Sequence, residues 1–470
     1  MTSISKIESR RFPIDTTGFR IPCRKFAFAL NVSRDRRFPV VDEFVLRVLR
    51  LLGEVPVRRL RSYFGFSSRE LEIVLSDLVA RGHVVLSGEN VSLHAAAEEL
   101  FSSAEDELPR IVSIEPWNET VSFDMVASNL LSAESPYATR HFVEVKASTS
   151  ASQTPIRYAE EAFSRSFRDY VRNLKGIKDA DGIHLYSISH VEPKGYGWSS
   201  YKTTDYLTLS SDLRIETDFG IQPDKFAALR PLIEGISAAK NSLRISQRDR
   251  NVAGFVDRLF GNTRFSQRLD NGPFFQLRQW LDAETPTEGM EGRTRPVLGS
   301  LYLPDNVTAF LALAEIGRLV ERGPDGSQRL IWGRPGGTAW GATPDLSASV
   351  ARFKDAVRSA GQSASAVMCD LQETPLDVLR KFRNVFDEAY AISARGVPGS
   401  LEFLRVGNVL GFSVRVAVAA GSVPVGYITT DPRVVERFDQ ATSLVDRLNK
   451  ASPLWTRTPR SQDPPNSESP

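Results

Sequence analysis

Between Pro39 and Leu93 the apolar positions change period several times, and each change predicts an element. In PVVDEFVLRVLRLLG they recur at helical spacing, which predicts a helix stopping at Gly53. VPVRRLRSYFG predicts a short second helix after Pro56, closed by Gly65. SSRELEIVLSDLVARG opens with serine before an acidic first turn, as a capped helix does. It then places Leu71, Val74, Leu75, Leu78 and Val79 on one face and stops at Gly82. HVVLSGENVSL alternates on both sides of a Ser-Gly-Glu-Asn turn and predicts a hairpin.

Further on, RIVSIEPWNETVSFDMVASN reads as two strands around Asn118, and RHFVEVKAS as a third. PIRYAEEAFSRSFRDYVRNLKG reads as a helix with Tyr158, Phe163, Phe167, Tyr170 and Leu174 as its core stripe. DGIHLYSISHVEP is a fourth strand, YKTTDYLTLSSDLRIETDFG holds more, and a helix follows around DKFAALRPLIEGISAAKNSL. No period is sustained from 251 to 296, which reads as a connecting segment. Strand and helix patterns then alternate to about residue 455, as in a layered sheet. The expected class is multi-domain α/β. Its expected parts are a basic arm (1–36), a helical module with a hairpin (37–108), a first α/β region (109–250), the connecting segment (251–296), a second α/β region (297–455) and a Pro/Ser-rich disordered tail (456–470).

Composition narrows the class. With 470 residues, 41% hydrophobic and 25% charged, the chain can bury large cores without staples. Two cysteines far apart, Cys23 and Cys369, make neither a disulfide framework nor a metal knuckle, and a reducing cytoplasm is the expected setting. The N-terminal stretch has no apolar core of a signal peptide, and no apolar run is long enough to predict a membrane span. The net charge is only +2, but residues 1–69 hold fifteen Lys and Arg against six Asp and Glu. Such clustering is the footprint expected of a nucleic-acid binder, and also of a plain solvated surface.

Three helices followed by a hairpin resemble a winged helix-turn-helix domain, most of all in ELEIVLSDLVARGHVVLSGENVSL. The resemblance implies that the third helix enters the DNA major groove, opened by Ser67, Ser68 and Arg69. Arg58, Arg59 and Arg61 on the preceding helix, with Arg34, Arg36 and Arg37 before the module, would meet phosphate. Winged helices also serve as protein-interaction modules. Glu70, Glu72 and Asp77 argue for backbone contact over base reading.

Asp124 in VSFDMVA and Glu144 and Lys146 in FVEVKAS resemble the core of PD-(D/E)xK nucleases. Period-two alternation places Glu144 and Lys146 on one face of their strand, and Asp124 could face them across a hairpin. The implied chemistry is Mg²⁺ held by Asp124 and Glu144, with Lys146 acting at the scissile phosphate. The same residues also fit a half-buried strand whose charges face water. His184 and His190, without an obvious third ligand, read as structural, and His141 would point away from Glu144.

Near the C-terminus, FRNVFDEAYAISARGVPGSLEFLRVGN…GYITTDPRVVERF resembles the second half of phospholipase D-like domains, through Asp387, Gly399, Ser400 and Phe403. The positions of that family's histidine, lysine and asparagine fall at Arg380, Phe382 and Glu402, so this copy is expected to be a degenerate body without catalysis. The two α/β regions could form a pseudo-repeat of such halves. The glycine-rich stretches KGYGWSSYK and GRPGGTAWGAT match no phosphate-loop pattern and read as loops.

The combined architecture looks like components of bacterial anti-phage or mobile-element operons. The expectation is a cytoplasmic DNA-binding accessory protein, acting beside a helicase or ATPase and away from membranes. A Mg²⁺-dependent nuclease and a winged-helix transcriptional regulator stand as alternatives.

Overall fold

The computed structural model describes residues 10–101, 109–131, 138–148, 156–178, 180–209, 212–220, 226–243, 252–269, 274–284, 294–314, 327–337, 339–392, 394 and 396–457. The protein is a multi-domain α/β chain of two large sheets and a small helical module.

The segment read as a basic arm is, from Arg10 onward, a 28-residue strand, β1 (Arg10–Arg37). Its side chains alternate cleanly. Phe19, Ile21 and Cys23 are buried on one face, and Phe26, Phe28, Leu30 and Val32 on the other. At its end the chain enters the helical module: α1 (Val40–Leu52), β2 (Val55–Pro56), α2 (Val57–Phe64), α3 (Ser68–Ala80), β3 (Val84–Ser87) and β4 (Asn90–Leu93). The small sheet has the order β2-β4-β3.

The chain then returns along β1 as one strand, β5 (Arg110–Asp124), with Arg37 opposite Arg110 and Cys23 opposite Asp124. The turn expected at Asn118 is absent, because the ladder to β1 runs straight through it. The helical module is therefore an insertion at the tip of a long antiparallel pair. β6 (Leu130–Leu131) and β7 (Val143–Glu144) are short additions.

α4 (Ile156–Asp169) leads to β8 (Ile183–Leu209), which pairs with β1 antiparallel from Arg10 to Arg34. KGYGWSSYK, expected as a loop, lies inside β8, with Gly197 opposite Cys23 and Gly195 opposite Lys25. β9 (Leu213–Asp218) closes the edge. α4 packs on the β1 face that carries Phe26 to Val32. α5 (Phe226–Asn241) packs on the opposite face over Phe19 and Ile21. The helical cover thus changes sides near Arg24, while the body also covers Ile14, Thr16 and Gly18 at the start of the strand.

The region expected to be a connector supplies α6 (Val252–Phe260) and α7 (Leu277–Glu284) to the core of the body. Trp280 is buried there and its Nε1 donates to the Tyr427 hydroxyl at 2.8 Å. Sequence periodicity missed these helices because each spans only two or three turns.

The body continues as β10 (Thr294–Leu298), α8 (Pro304–Ala314), β11 (Ser327–Arg334), α9 (Pro344–Ser359), β12 (Ser363–Asp370), α10 (Leu376–Arg380) and β13 (Glu388–Ala391). It ends in β14 (Glu402–Val406), β15 (Val409–Val418), β16 (Gly421–Thr429), α11 (Pro432–Thr442), α12 (Leu444–Lys450) and β17 (Trp455–Thr456). The eight-stranded order is β10-β16-β15-β14-β11-β12-β13-β17. β11, β12 and β13 are parallel, with α9 as the crossover between the first two. The first sheet is antiparallel except for β7, so the two sheets do not repeat one topology.

The sheets meet at the start of β1. The Ser300 amide donates to the Ile14 carbonyl at 3.0 Å, and the Gly18 amide to the Ala342 carbonyl at 2.5 Å. Gly299 has φ +88°, and a Cβ there would fall 2.8 Å from the Ile14 oxygen, so no side chain fits.

Candidate functional site

The helical module is built largely by local rules. Gly53 (φ 74°) and Gly65 (φ 68°) end α1 and α2 in conformations that L side chains rarely adopt. Ser67 caps α3 in a capping box: its Oγ accepts from the Glu70 amide, and the Glu70 carboxylate accepts from the Ser67 amide at 2.8 Å. Leu60, Leu71, Leu75 and Leu78 face inward. The intervening positions Arg58, Arg59, Arg61, Ser67, Ser68 and Arg69 are all exposed, on one continuous stretch of α2 and the start of α3.

Three of these side chains already have partners. Arg61 Nη1 donates to Ser68 Oγ at 2.7 Å, and Ser67 Oγ also donates to Glu70 Oε2 at 2.8 Å. These hydrogen bonds hold the Glu70 carboxyl below its ordinary range. Asp77 pairs with Arg81 at 2.5 Å. Residues 38–101 carry seven Lys and Arg against nine Asp and Glu. The module is therefore not basic as a whole; its positive charge is gathered on α2.

Arg34 lies near the root of the module, half-buried, with Ser113 and Ile183 opposite it. Its Nε has no hydrogen-bond partner among the described residues. The side chains of Arg36 and Arg37 lie outside the described residues, as do residues 1–9 and 458–470.

The carboxylates of the nuclease pattern are separated by strand register. Cys23 is opposite Asp124, and Arg20 is opposite Glu144. Paired residues share a face, and positions 20 and 23 of one strand point to opposite faces. Asp124 and Glu144 are therefore on opposite sides of the sheet, and the expected facing across a hairpin does not occur. Asp124 is buried and holds the following turn. Its Oδ1 accepts from the Val126 and Ala127 amides at 2.8 and 2.5 Å, and its Oδ2 from the Asn129 amide at 2.7 Å. Burial raises its pKa against these hydrogen bonds.

Glu144 and Lys146 are both exposed, with Val145 buried between them, as the alternation predicted. Glu144 Oε2 lies 4.0 Å from Arg20 Nε. Among the described residues no group of three or more His, Cys, Asp or Glu is gathered for a metal ion. The residues expected to hold Mg²⁺ do not fit it, and no cleavage step follows from them.

His141 is buried away from Glu144. Its Nε2 is 3.2 Å from the Thr343 carbonyl, and it tilts against Phe382. Burial lowers its pKa to about 4.

Sequence reasoning missed a largely buried polar cluster where the two sheets meet. Asp15 of β1 accepts from Tyr302 Oη at 2.6 Å, Ser300 Oγ at 3.3 Å and Arg415 Nη2 at 2.5 Å. Beside it, Glu402 Oε1 accepts from Trp332 Nε1 at 3.2 Å. Glu402 Oε2 accepts from the Leu301 amide at 3.1 Å and Ser413 Oγ at 3.3 Å. Burial raises the Glu402 pKa to about 7, with the hydrogen bonds opposing it. A cavity of about 30 Å³ adjoins the cluster, lined by Gly336, Gly337, Ser400 and Arg415 among others. The one legible signal was Arg415 and Glu402 inside otherwise apolar strands.

Of the other positions singled out by the phospholipase D-like pattern, Phe403 is buried in the core, Ser400 Oγ accepts from the Arg415 amide at 3.3 Å, and Arg380 is exposed. Phe382 is buried, and Asp387 pairs with Lys354 at 2.5 Å and accepts from the Ala366 amide at 2.8 Å.

No helix among the described residues is long and apolar enough to cross a membrane. No family model matches the chain. No curated protein matches it either. Among solved structures, it matches TrmBL2, an archaeal chromatin protein whose structure shows a novel mode of DNA binding, at 9% identity and a TM-score of 0.22, over 88% of this chain and 94% of that one.

Proposed function

We propose that the protein binds duplex DNA through its winged module, as an accessory factor without catalysis of its own. The observation that carries this reading is the exposed run of Arg58, Arg59 and Arg61 leading into a capped helix that opens with Ser67, Ser68 and Arg69. Three guanidinium groups on one short helix suit phosphate contact, and the acidic residues of α3 disfavour base-edge reading. Binding of this kind depends on salt more than on sequence. The defence role, and a helicase or ATPase as partner, are suggested by the architecture alone. The register of β1 removes the support for a nuclease reading.

The test is gel retardation of a short duplex across a salt series. Neutralising Arg58, Arg59 and Arg61 to alanine should weaken binding on every duplex alike. It should lower the slope of log affinity against log salt by about one for each phosphate no longer neutralised. Unchanged affinity in that variant would overturn the reading. Strong preference for one duplex over competitor DNA would favour a transcriptional regulator.

A further inference from the structure

The covering of β1 switches from one face to the other, and the switch leaves a window. On the face carrying the even-numbered residues, Gly18 lies under the Phe142 ring, and Phe26 lies under α4. Arg20, Pro22 and Arg24 lie between them. The four residue steps from Arg20 to Arg24 span about 13 Å at about 3.3 Å each. The window's β8 side brings Ser200, Trp198 and Tyr196 opposite those three residues, and its β7 side brings Glu144 opposite Arg20.

The chemistry of the window is basic and aromatic. The Arg20 guanidinium stacks over the Trp198 ring at 3.5 Å from its centroid. Tyr196 is 69% exposed. Arg140 and Lys146 are exposed beside it, and Arg140 adds to the positive field at Arg20. The Arg20 Nε is buried yet has no hydrogen-bond partner among the described residues, since Glu144 at 4.0 Å is too far for one. A buried, unsatisfied guanidinium N–H is costly and calls for an acceptor.

We infer that this window binds a single strand of nucleic acid, with a base stacked on Tyr196 and a phosphate received by Arg20. A π-face next to fixed cations holds any base without reading sequence. A duplex hides its base faces, so the site selects unpaired strands, on a surface distinct from the winged module and independent of it.

Fluorescence anisotropy of a labelled fifteen-nucleotide oligo(dT) on the full chain tests this. Tyr196→Ala should weaken binding about fivefold or more, and Tyr196→Phe should not, because the ring and not the hydroxyl does the stacking. Duplex affinity should be unchanged in both. The variant lacking Arg58, Arg59 and Arg61 should keep its oligo(dT) affinity while losing duplex affinity, so the two readings can fail separately. The inference is overturned if the wild type does not bind oligo(dT), if Tyr196→Ala binds as the wild type does, or if Tyr196→Phe is as weak as Tyr196→Ala. Polyglutamate displacing the oligonucleotide as well as unlabelled oligo(dT) does would overturn it too, by showing a site for charge alone.

Discussion

Arg415 Nη2 lies 2.5 Å from Asp15 Oδ2, joining residues 400 positions apart and the two large sheets to each other. Asp15 also accepts from Tyr302 and Ser300, so a single carboxylate of β1 collects three donors from the body. The side chains of the pair are only 20% and 21% exposed.

Removing one partner should therefore leave the other poorly solvated. Asp15→Ala should cost about 2 kcal/mol, at the lower side of buried-pair losses because both groups still touch water. Urea unfolding of Asp15→Ala, Arg415→Met and the double variant checks this. A double variant whose loss equals the sum of the single losses would mean that the pair does not couple.

Glu402 should make the protein less stable as pH rises. Its pKa is raised to about 7, mainly by burial, so the folded state keeps a proton that the unfolded chain releases near its ordinary value of 4.5. The contribution is fully present below 4.5 and is lost as pH rises through 7, up to about 3 kcal/mol. Glu402→Gln should flatten that fall when urea midpoints are compared at pH 5 and pH 8.

His141 acts with the opposite sign. Burial holds its pKa at about 4, so the unfolded chain takes up a proton near 6.5 while the folded one does not. Stability is present above 6.5 and is lost as pH falls through 4, again by up to about 3 kcal/mol. An imidazole signal in NMR titrating near 6.5 in the folded protein, assigned to His141, would refute this.

Asp124→Ala should unfold the turn it holds, because three backbone N–H groups lose their acceptor. The expected cost is about 2 kcal/mol. Lys146→Ala, on an exposed side chain, should leave stability within about 0.5 kcal/mol. Supercoiled DNA incubated with Mg²⁺ or Mn²⁺ should stay intact with the wild type and both variants. Cleavage by the wild type that both folded variants abolish would contradict the register argument.

Much of the helical module was legible because its signals are local. The Ser67 cap, the stops at Gly53, Gly65 and Gly82, and the leucine stripe of α3 each act within one or two turns of chain. β1 also alternates from Phe19 to Val32, but its charge marks the segment as a basic arm, and its partners β5 and β8 come after the inserted module and after α4. No turn residue announces such a pairing. The basic residues on the strand drew attention to charge, although their backbone was making a ladder. The strand through KGYGWSSYK was hidden for a similar reason. Its glycines suggest a loop until β1 supplies hydrogen bonds along its whole length.

The α/β class, the three helices and hairpin with their exposed arginines, and the shared face of Glu144 and Lys146 were legible in the chain alone, since each follows from propensity or period over a few residues. That Asp124 faces the other way depends on strand pairing. So do the gathering of Asp15, Tyr302, Glu402 and Arg415 in one largely buried cluster and the meeting of Arg20 with Trp198. Those relationships depend on which strands pair and in what register. A shift of one residue would turn every side chain to the other face, and only the packed sheet and its helices hold that register in place.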